Sequence, residues 1–260
     1  MTTENLKVSI IQTELTWEDK AANFKHFDDL IHAIELDTDL IVLPEMFTTG
    51  FSMNAENLYD EPEGQTLAWL RHHAKLKKAA ITGSAIIKDH NQCFNRLFFV
   101  EPNGDYQTYD KRHLFTLAGE EKHYTAGQDK LIVEYKGWKI CPMVCYDLRF
   151  PAWIRNQEDY DLLIFVANWP AMRVKAWDSL LQARAIENMS YTIGVNRIGE
   201  DGNGYPHCGH SAIYDALGEK ITTDLFEEAF VETKTLSKQE LIQTREKFGF
   251  LRDRDEFKVN

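Results

Sequence analysis

Short apolar runs rich in Val, Ile and Phe alternate with longer amphipathic stretches along most of this chain. Runs such as Asp39–Leu43 (DLIVL) and Asp161–Ala167 (DLLIFVA) are typical of buried strands. The stretch Trp17–Leu36 carries apolar residues three and four positions apart, which predicts a helix. Because strands and helices alternate in this way, the sequence predicts an α/β protein whose sheets are covered by helices.

The other predicted elements follow the same two periodicities. The remaining strands are predicted at Leu6–Gln12, Ala79–Ile87, Phe94–Glu101, Tyr106–Lys111, Leu131–Tyr135, Trp138–Cys145, Tyr191–Asn196, Ser211–Asp215 and Ala229–Thr233. The remaining helices are predicted at Gly64–Lys78, Arg173–Met189 and Ser237–Lys247, the last opening on Ser237 and Glu240 at capping-box spacing. Asn103-Gly104 and Lys136-Gly137 predict tight hairpin turns.

The composition narrows the class of protein. The 260 residues contain no linker rich in Pro, Gly or Ser and no repeat, so we expect a single domain over residues 1–260. No run approaches the ~18 apolar residues of a membrane span, and no secretory signal is expected at the N-terminus. A net charge of −12 disfavours nucleic-acid and membrane-surface partners. Four cysteines are too few for a disulfide scaffold, so the reducing cytoplasm is the expected compartment.

Three chemically useful side chains follow predicted strands directly. Glu45 follows a strand and a proline, Lys111 closes a strand, and Cys145 closes another. Strand ends are rigid, and the loops after them can aim side chains precisely. If the three strands are neighbours, an acid, an ammonium and a thiol converge at one sheet edge.

This trio can perform nucleophilic catalysis. The carboxylate can take the thiol proton during attack, and the ammonium favours the thiolate electrostatically. The same ammonium can hold the oxyanion that forms when sulfur adds to a carbonyl or nitrile carbon. Glu45, Lys111 and Cys145 are therefore predicted as general base, electrostatic stabiliser and nucleophile.

The same segments resemble the nitrilase superfamily, whose members carry Glu, Lys and Cys in this chain order. The resemblance covers nearly the whole chain and rests on LPEMF around Glu45, YDKRHLF around Lys111, CYDLRFP from Cys145, VANWP (Val166–Pro170) and ARAIENMSY (Ala183–Tyr191). Cys-Tyr-Asp stands where true nitrilases usually show Cys-Trp-Glu. REKFGFLRDRDEF (Arg245–Phe257) also resembles the omega-amidase branch, which hydrolyses the distal amide of 2-oxo acids such as 2-oxoglutaramate.

The resemblance implies an α-β-β-α sandwich and a homodimer packed helix layer to helix layer, with a C-terminal extension (about 237–260) at the interface. It implies a second pocket glutamate, best matched by Glu120, although Glu121 is adjacent. It implies no metal and no cofactor. In the expected mechanism Cys145 forms a thioester, and the backbone N–H of Tyr146 joins Lys111 in holding the oxyanion.

The substrate implied by this branch is a small anionic amide, whose free carboxylate requires a cation. Arg173 follows the loop expected to roof the pocket and is the predicted clamp. Apolar walls are predicted from four residues, which are Trp169, Phe47, Tyr146 and Met172.

Several alternatives remain open at this point. The chain could be another amide hydrolase of the superfamily, a nitrilase or a carbamoylase, or a binding protein that has lost catalysis. The segment His207-Cys208-Gly209-His210 hints at a metal but lacks a paired zinc motif. Arg184 and Glu187 are expected to form a structural ion pair on their helix.

Overall fold

The structure, a computed structural model, describes residues 5–35 and 37–259, and two sheets dominate it. The predicted end of the first helix, at Leu36, lies outside the described residues. The strands, in chain order, are β1 (Leu6–Gln12), β2 (Leu40–Val42), β3 (Ala80–Asp89), β4 (Gln92–Val100), β5 (Tyr106–Asp110), β6 (Val133–Tyr135), β7 (Trp138–Val144), β8 (Leu162–Ala167), β9 (Tyr191–Asn196), β10 (Ile198–Glu200), β11 (Pro206–Cys208), β12 (Ala212–Tyr214) and β13 (Phe230–Leu236).

The helices are α1 (Lys20–His32), α2 (Ala55–Leu58), α3 (Gln65–Lys77), α4 (Pro151–Ile154), α5 (Val174–Asn188) and α6 (Lys238–Phe248). Three of them, α1, α3 and α5, are shorter than the sequence predicts, and α6 is shifted by one residue. The Asp19 side chain accepts from the backbone N–H of Ala22 and so fixes the start of α1. Ser237 caps α6 through the N–H of Glu240, as predicted, but its own N–H donates to the hydroxyl of Tyr191. In the part of the chain that the structure describes, no helix is both long and apolar enough to cross a membrane.

Each sheet has a parallel centre and antiparallel edges. The first sheet has the order β13-β1-β2-β3-β4-β5, with β1, β2 and β3 parallel. The second has the order β12-β9-β8-β7-β6, with β7, β8 and β9 parallel. Parallel strands buried on both faces explain the nearly continuous apolar runs of β2 and β8.

Two apolar cores separate the layers. One core joins the facing surfaces of both sheets and includes Val8 and Val42 from the first and Ile140 and Ile164 from the second. The other core packs α1 and α3 against the outer face of the first sheet. Helix α5 covers the second sheet so closely that a Cβ on Gly194 would meet Leu181 Cδ1 at 2.4 Å. The layers therefore run α-β-β-α, and the predicted sandwich is confirmed.

The hairpins are partly as predicted. Turns at Asn103-Gly104 and Lys136-Gly137 join β4 to β5 and β6 to β7. The β3–β4 hairpin was not predicted to extend so far, because its turn at His90 and Asn91 has positive φ without a glycine. Helices α2 and α4 and the β10–β11 hairpin were also not predicted, since elements of three or four residues are too short to show a period.

Candidate active site

The three strand ends meet between the sheets and not at the edge of one sheet. Glu45 follows β2 and Lys111 follows β5, but β3 and β4 lie between these strands. Cys145 follows β7 in the second sheet. The three strands are not neighbours, and two facing sheets bring the side chains together.

Lys111 connects two buried carboxylates. Its Nζ lies 3.1 Å from Glu45 Oε1 and 3.0 Å from each carboxylate oxygen of Glu120. Burial lowers the pKa of Lys111, but the charges of Glu120 and Glu45 outweigh burial, so the pKa is raised and the ammonium stays charged. The Lys111 ammonium also lies 4.9 Å from the centroid of the Phe51 ring.

The Glu45 carboxylate is fixed by two asparagines that the sequence analysis missed. Asn95, on the intervening strand β4, donates from Nδ2 to Glu45 Oε1 at 2.8 Å. The backbone N–H of Asn168 donates to Oε2 at 2.8 Å, and its Nδ2 donates to the Glu45 carbonyl at 2.6 Å. With both oxygens engaged, Glu45 presents one orientation to the thiol.

Glu120, and not the adjacent Glu121, contacts Lys111. Glu120 is fully buried, whereas Glu121 is exposed. The Glu120 Oε2 atom also accepts the backbone N–H of Phe115 at 2.5 Å. Burial raises the pKa of Glu120, Lys111 opposes that rise, and Glu45 adds to it. Of the two adjacent glutamates, Glu120 is therefore the one placed to act together with Lys111.

Cys145 sits at a sharp turn from strand to helix. It has a φ of 45° and opens a single 3₁₀ turn that runs from Cys145 to Arg149. Left-handed backbone at a residue other than glycine costs about 1–3 kcal/mol and is often found at active sites. Since the first N–H groups of a helix have no partner within it, the N–H of Tyr146 is suited to bind an anion at the thiol.

The thiol is protonated at rest. Burial raises the pKa of Cys145 well above its ordinary value, Glu45 raises it further, and Lys111 only partly opposes them. Lys111 lowers the pKa of Cys145, the direction expected from the sequence, but burial and the adjacent carboxylate outweigh it. Such a thiol needs a base at the moment of attack, and Glu45 is adjacent.

Cys145 and Lys111 open onto a cavity of about 670 Å³. Trp169, Tyr146 and Met172 line this cavity, as predicted. Trp169 is almost fully buried, whereas Met172 is 74% exposed at the mouth. The cavity wall therefore combines aromatic and apolar side chains with polar residues that include Asp201, Asn203 and His207.

Two arginines line the same cavity. Arg173, the predicted clamp, lies 5.0 Å from the Phe115 ring centroid, and Arg149 lies 4.9 Å from that of Trp169. Burial lowers the pKa of Arg173, but an arginine remains charged at neutral pH. Arg149 was missed, although its place four residues after Cys145, on the same turn, was a usable signal.

Phe47 does not belong to the cavity wall. Its side chain is fully buried in the core between the first sheet and helices α1 and α3, where its ring contacts Phe27 and Trp69. The preceding residue, Met46, has a φ of 43°. This local reversal breaks the alternation of the chain and turns Phe47 into the core, so the prediction of a wall residue is wrong.

The remaining candidates have structural partners. Arg184 pairs with Glu187 at 2.9 Å, as predicted, and donates two hydrogen bonds to the carbonyl of Leu148 in the turn after Cys145. His210 contacts Asp178 and stacks on Phe226. Among residues 5–35 and 37–259, no group of three or more His, Cys, Asp or Glu side chains is placed to hold a metal ion.

A four-layer sandwich with an acid, an amine and a thiol at the shared end of its sheets is the arrangement of a nitrilase-type hydrolase. The family model described as carbon-nitrogen hydrolase matches residues 7–246. The crystal structure of a CN-hydrolase superfamily protein from Xanthomonas campestris, which carries an arsenic adduct in its active site, superposes with a TM-score of 0.96 at 42% identity, covering 99% of this chain and 100% of that one.

Curated relatives match over nearly the full length. The omega-amidase YafV of Yersinia enterocolitica is 49% identical over 253 residues, covering 97% of this chain and 98% of the relative. A 2-oxoglutaramate amidase of Bacillus subtilis is 32% identical, with coverages of 92% and 93%. The chain belongs to the carbon-nitrogen hydrolase family, and it is an amide hydrolase.

Proposed function

We propose that this protein is an omega-amidase that hydrolyses the terminal amide of a 2-oxo dicarboxylic acid monoamide, such as 2-oxoglutaramate or 2-oxosuccinamate, to the 2-oxo acid and ammonia. Full-length relatives named for this activity support the substrate class. The single observation that carries the chemistry is the position of Lys111 between Glu45 and Glu120, beside a thiol that opens to the cavity.

The first half of the reaction forms a thioester. Glu45 takes the proton of the Cys145 thiol as sulfur adds to the amide carbon. The carbonyl oxygen becomes an oxyanion, which Lys111 and the N–H of Tyr146 stabilise. When the intermediate collapses, Glu45 returns the proton to the nitrogen, the carbon–nitrogen bond breaks, and ammonia leaves.

The second half hydrolyses the thioester. Glu45, again a carboxylate, takes a proton from water as the water oxygen adds to the acyl carbon. Collapse breaks the carbon–sulfur bond, and the proton returns to sulfur. Glu120 contributes by holding Lys111 through both of its carboxylate oxygens, which keeps the ammonium charged and aimed.

The substrate carboxylate is assigned to the two cavity arginines. Arg149 and Arg173 are each backed by an aromatic face, so their guanidinium groups are held in place before a ligand arrives. With Lys111 they bring three cations to the lining of a cavity that also includes Asp201, in a chain whose net charge is −12. A 2-oxo acid is favoured over the corresponding α-amino acid, because the α-ammonium of the latter would lie near these cations.

The homodimer and a cytoplasmic location are parts of the same proposal. The C-terminal segment packs on its own chain through Arg245, which lies 3.2 Å from Asp161, yet leaves Phe248, Phe250 and Phe257 partly exposed. Exposed aromatic residues beside a helix layer suit a contact between two copies. Sedimentation of the wild type and of Phe250→Asp tests this, and a monomeric wild type would contradict it.

Ammonia release from a panel of substrates tests the activity. We expect kcat/KM for 2-oxoglutaramate to exceed that for glutamine, asparagine and simple nitriles by on the order of 100-fold or more. A nitrile or an N-carbamoyl compound as the best substrate would move the protein to another branch. The absence of turnover on every compound would favour a silent binding protein.

A further inference from the structure

Asp147, two residues after the thiol, is fully buried, and its carboxylate accepts four hydrogen bonds. Oδ2 accepts from the backbone N–H of Val144 at 3.1 Å and from the hydroxyl of Tyr109 at 2.8 Å. Oδ1 accepts from the backbone N–H of His113 at 3.0 Å and contacts its ring Nδ1 at 2.7 Å. None of these contacts involves the cavity, and Asp147 has no place in the reaction described above.

These partners belong to the two segments that carry the reacting groups. Val144 ends β7 directly before Cys145, whereas Tyr109 lies on β5 and His113 lies in the loop after it, on either side of Lys111. The Tyr109 hydroxyl also accepts from Trp153 Nε1 at 3.2 Å, which leaves its own proton for Asp147. Asp147 therefore ties the strand that ends at the thiol to the segment that carries the ammonium.

The geometry points to Asp147 as a positioning residue, which sets the place of Cys145 relative to Lys111 by bonding both of their backbone segments. This inference rests on the proposed roles of those two residues. The left-handed backbone at Cys145 must be held by its surroundings. The bond from Val144 N–H to Asp147 closes this turn across the strained residue.

A carboxylate suits this place better than an amide. All its partners can donate, and a carboxylate only accepts. In Asp147→Asn one amide nitrogen would face donors, so at least one hydrogen bond would be replaced by repulsion. The side-chain volume hardly changes, so this substitution tests the bonding pattern and not the packing.

The experiment compares Asp147→Asn, Tyr109→Phe and a control, Asp110→Asn. Asp110 is adjacent to Lys111 but pairs outward with Arg96 at 2.7 Å, away from the thiol. We measure kcat and KM on 2-oxoglutaramate, the rate of Cys145 alkylation by iodoacetamide, and the folded fraction from thermal unfolding. Tyr109→Phe removes only the hydroxyl that donates to Asp147, so it still tests the inference if Asp147→Asn does not fold.

We expect Asp147→Asn to lower kcat per folded molecule on the order of 100-fold with little change in KM, since displacing a reacting group by about 1 Å has such an effect. Tyr109→Phe should give a smaller fall in kcat, and the double variant should lose less than the product of the two falls. The alkylation rate should change in the same variants, and Asp110→Asn should match the wild type.

Unchanged kcat per folded molecule in Tyr109→Phe or Asp147→Asn, with only a lower melting temperature, would overturn the inference and leave Asp147 a structural residue. This outcome is distinct from a failure of the proposed function. In that case the wild type itself would not turn over the amide, while the alkylation rates would still compare the thiol environments.

Discussion

Lys111 donates to Glu45 across 3.1 Å, and neither side chain is exposed to solvent. Both carboxylate oxygens of Glu120 lie 3.0 Å from the same ammonium. The two carboxylates and the ammonium are buried together. Removing any one of them leaves a buried charge without a partner, which lowers the stability of the fold.

Lys111→Met should therefore damage both folding and turnover. We expect the free energy of unfolding to fall by about 3–5 kcal/mol, since Glu45 and Glu120 would lose their shared cation. Turnover per folded molecule should fall by on the order of 10²–10³ through the lost oxyanion partner. Urea unfolding and ammonia release measure the two effects.

The matched control is Lys88→Met, which removes an ammonium that pairs with exposed Glu56. Such surface pairs contribute little to stability, because solvent screens the two charges. An equal fall in the free energy of unfolding in the two lysine variants would contradict the prediction, because burial of the Lys111 ion pairs would then add nothing to stability.

Cys145→Ala should abolish turnover while leaving the melting temperature nearly unchanged. The loss of a nucleophile removes the covalent step entirely and typically costs on the order of 10⁴-fold or more. Cys208→Ala, a buried cysteine outside the cavity lining, should keep full activity. Mass spectrometry of the wild type with substrate should find an acyl adduct on the Cys145 peptide, and an adduct on any other cysteine would contradict the scheme.

The pH dependence of alkylation follows from the raised pKa of Cys145, which burial and then Glu45 produce. An ordinary thiol ionises near pH 8.5. The folded protein should therefore show no rise in iodoacetamide reactivity of this residue around pH 8.5, whereas the urea-unfolded chain should show one. Since the folded pKa lies above the unfolded one, stabilisation by this group is complete below about pH 8.5 and is lost as pH rises through the folded value. An inflection at or below pH 8.5 in the folded protein would refute the protonated resting thiol.

Arg149→Ala and Arg173→Ala should each raise KM for the anionic amide by about ten- to a hundredfold, the range expected for a charged hydrogen bond. Their kcat values should change little, and KM for a neutral aliphatic amide should stay the same in both. Lys175→Ala, an exposed cation in the first turn of α5, provides the control. If KM for the anionic amide does not move in either arginine variant, the carboxylate binds elsewhere.

The sequence predicted the parts of this site that sit directly on regular structure. Glu45, Lys111 and Cys145 each follow a strand, and their chain order and flanking segments resemble a known family. Asn95 and Asn168 gave no such signal, because their contact with Glu45 depends on how strands far apart in sequence meet. Asn95 lies 50 residues from Glu45 in the sequence, and Asn168 lies 123 residues from it. No local sequence pattern predicts contacts between residues so far apart along the chain.

Two of the differences from the sequence predictions have a common physical origin in backbone reversals. Phe47 was expected in the wall, but positive φ at Met46 turns it inward. The β3–β4 hairpin exceeded its predicted length because His90 and Asn91 adopt positive φ without a glycine to mark them. The spacing of apolar residues predicts helices and strands. The turns at Met46 and at His90 and Asn91 depend instead on how the flanking segments pack in the folded protein.

The division of the reacting groups between two sheets has a consequence for how the molecule fails. Glu45 and Lys111 follow strands of one sheet, and Cys145 follows a strand of the other. Neither layer alone carries a working set, so competence emerges only after both have docked. Under gradual heating or in mild denaturant, amide hydrolysis should therefore be lost while far-ultraviolet circular dichroism still reports intact helices. Activity then reports whether the two sheets remain docked.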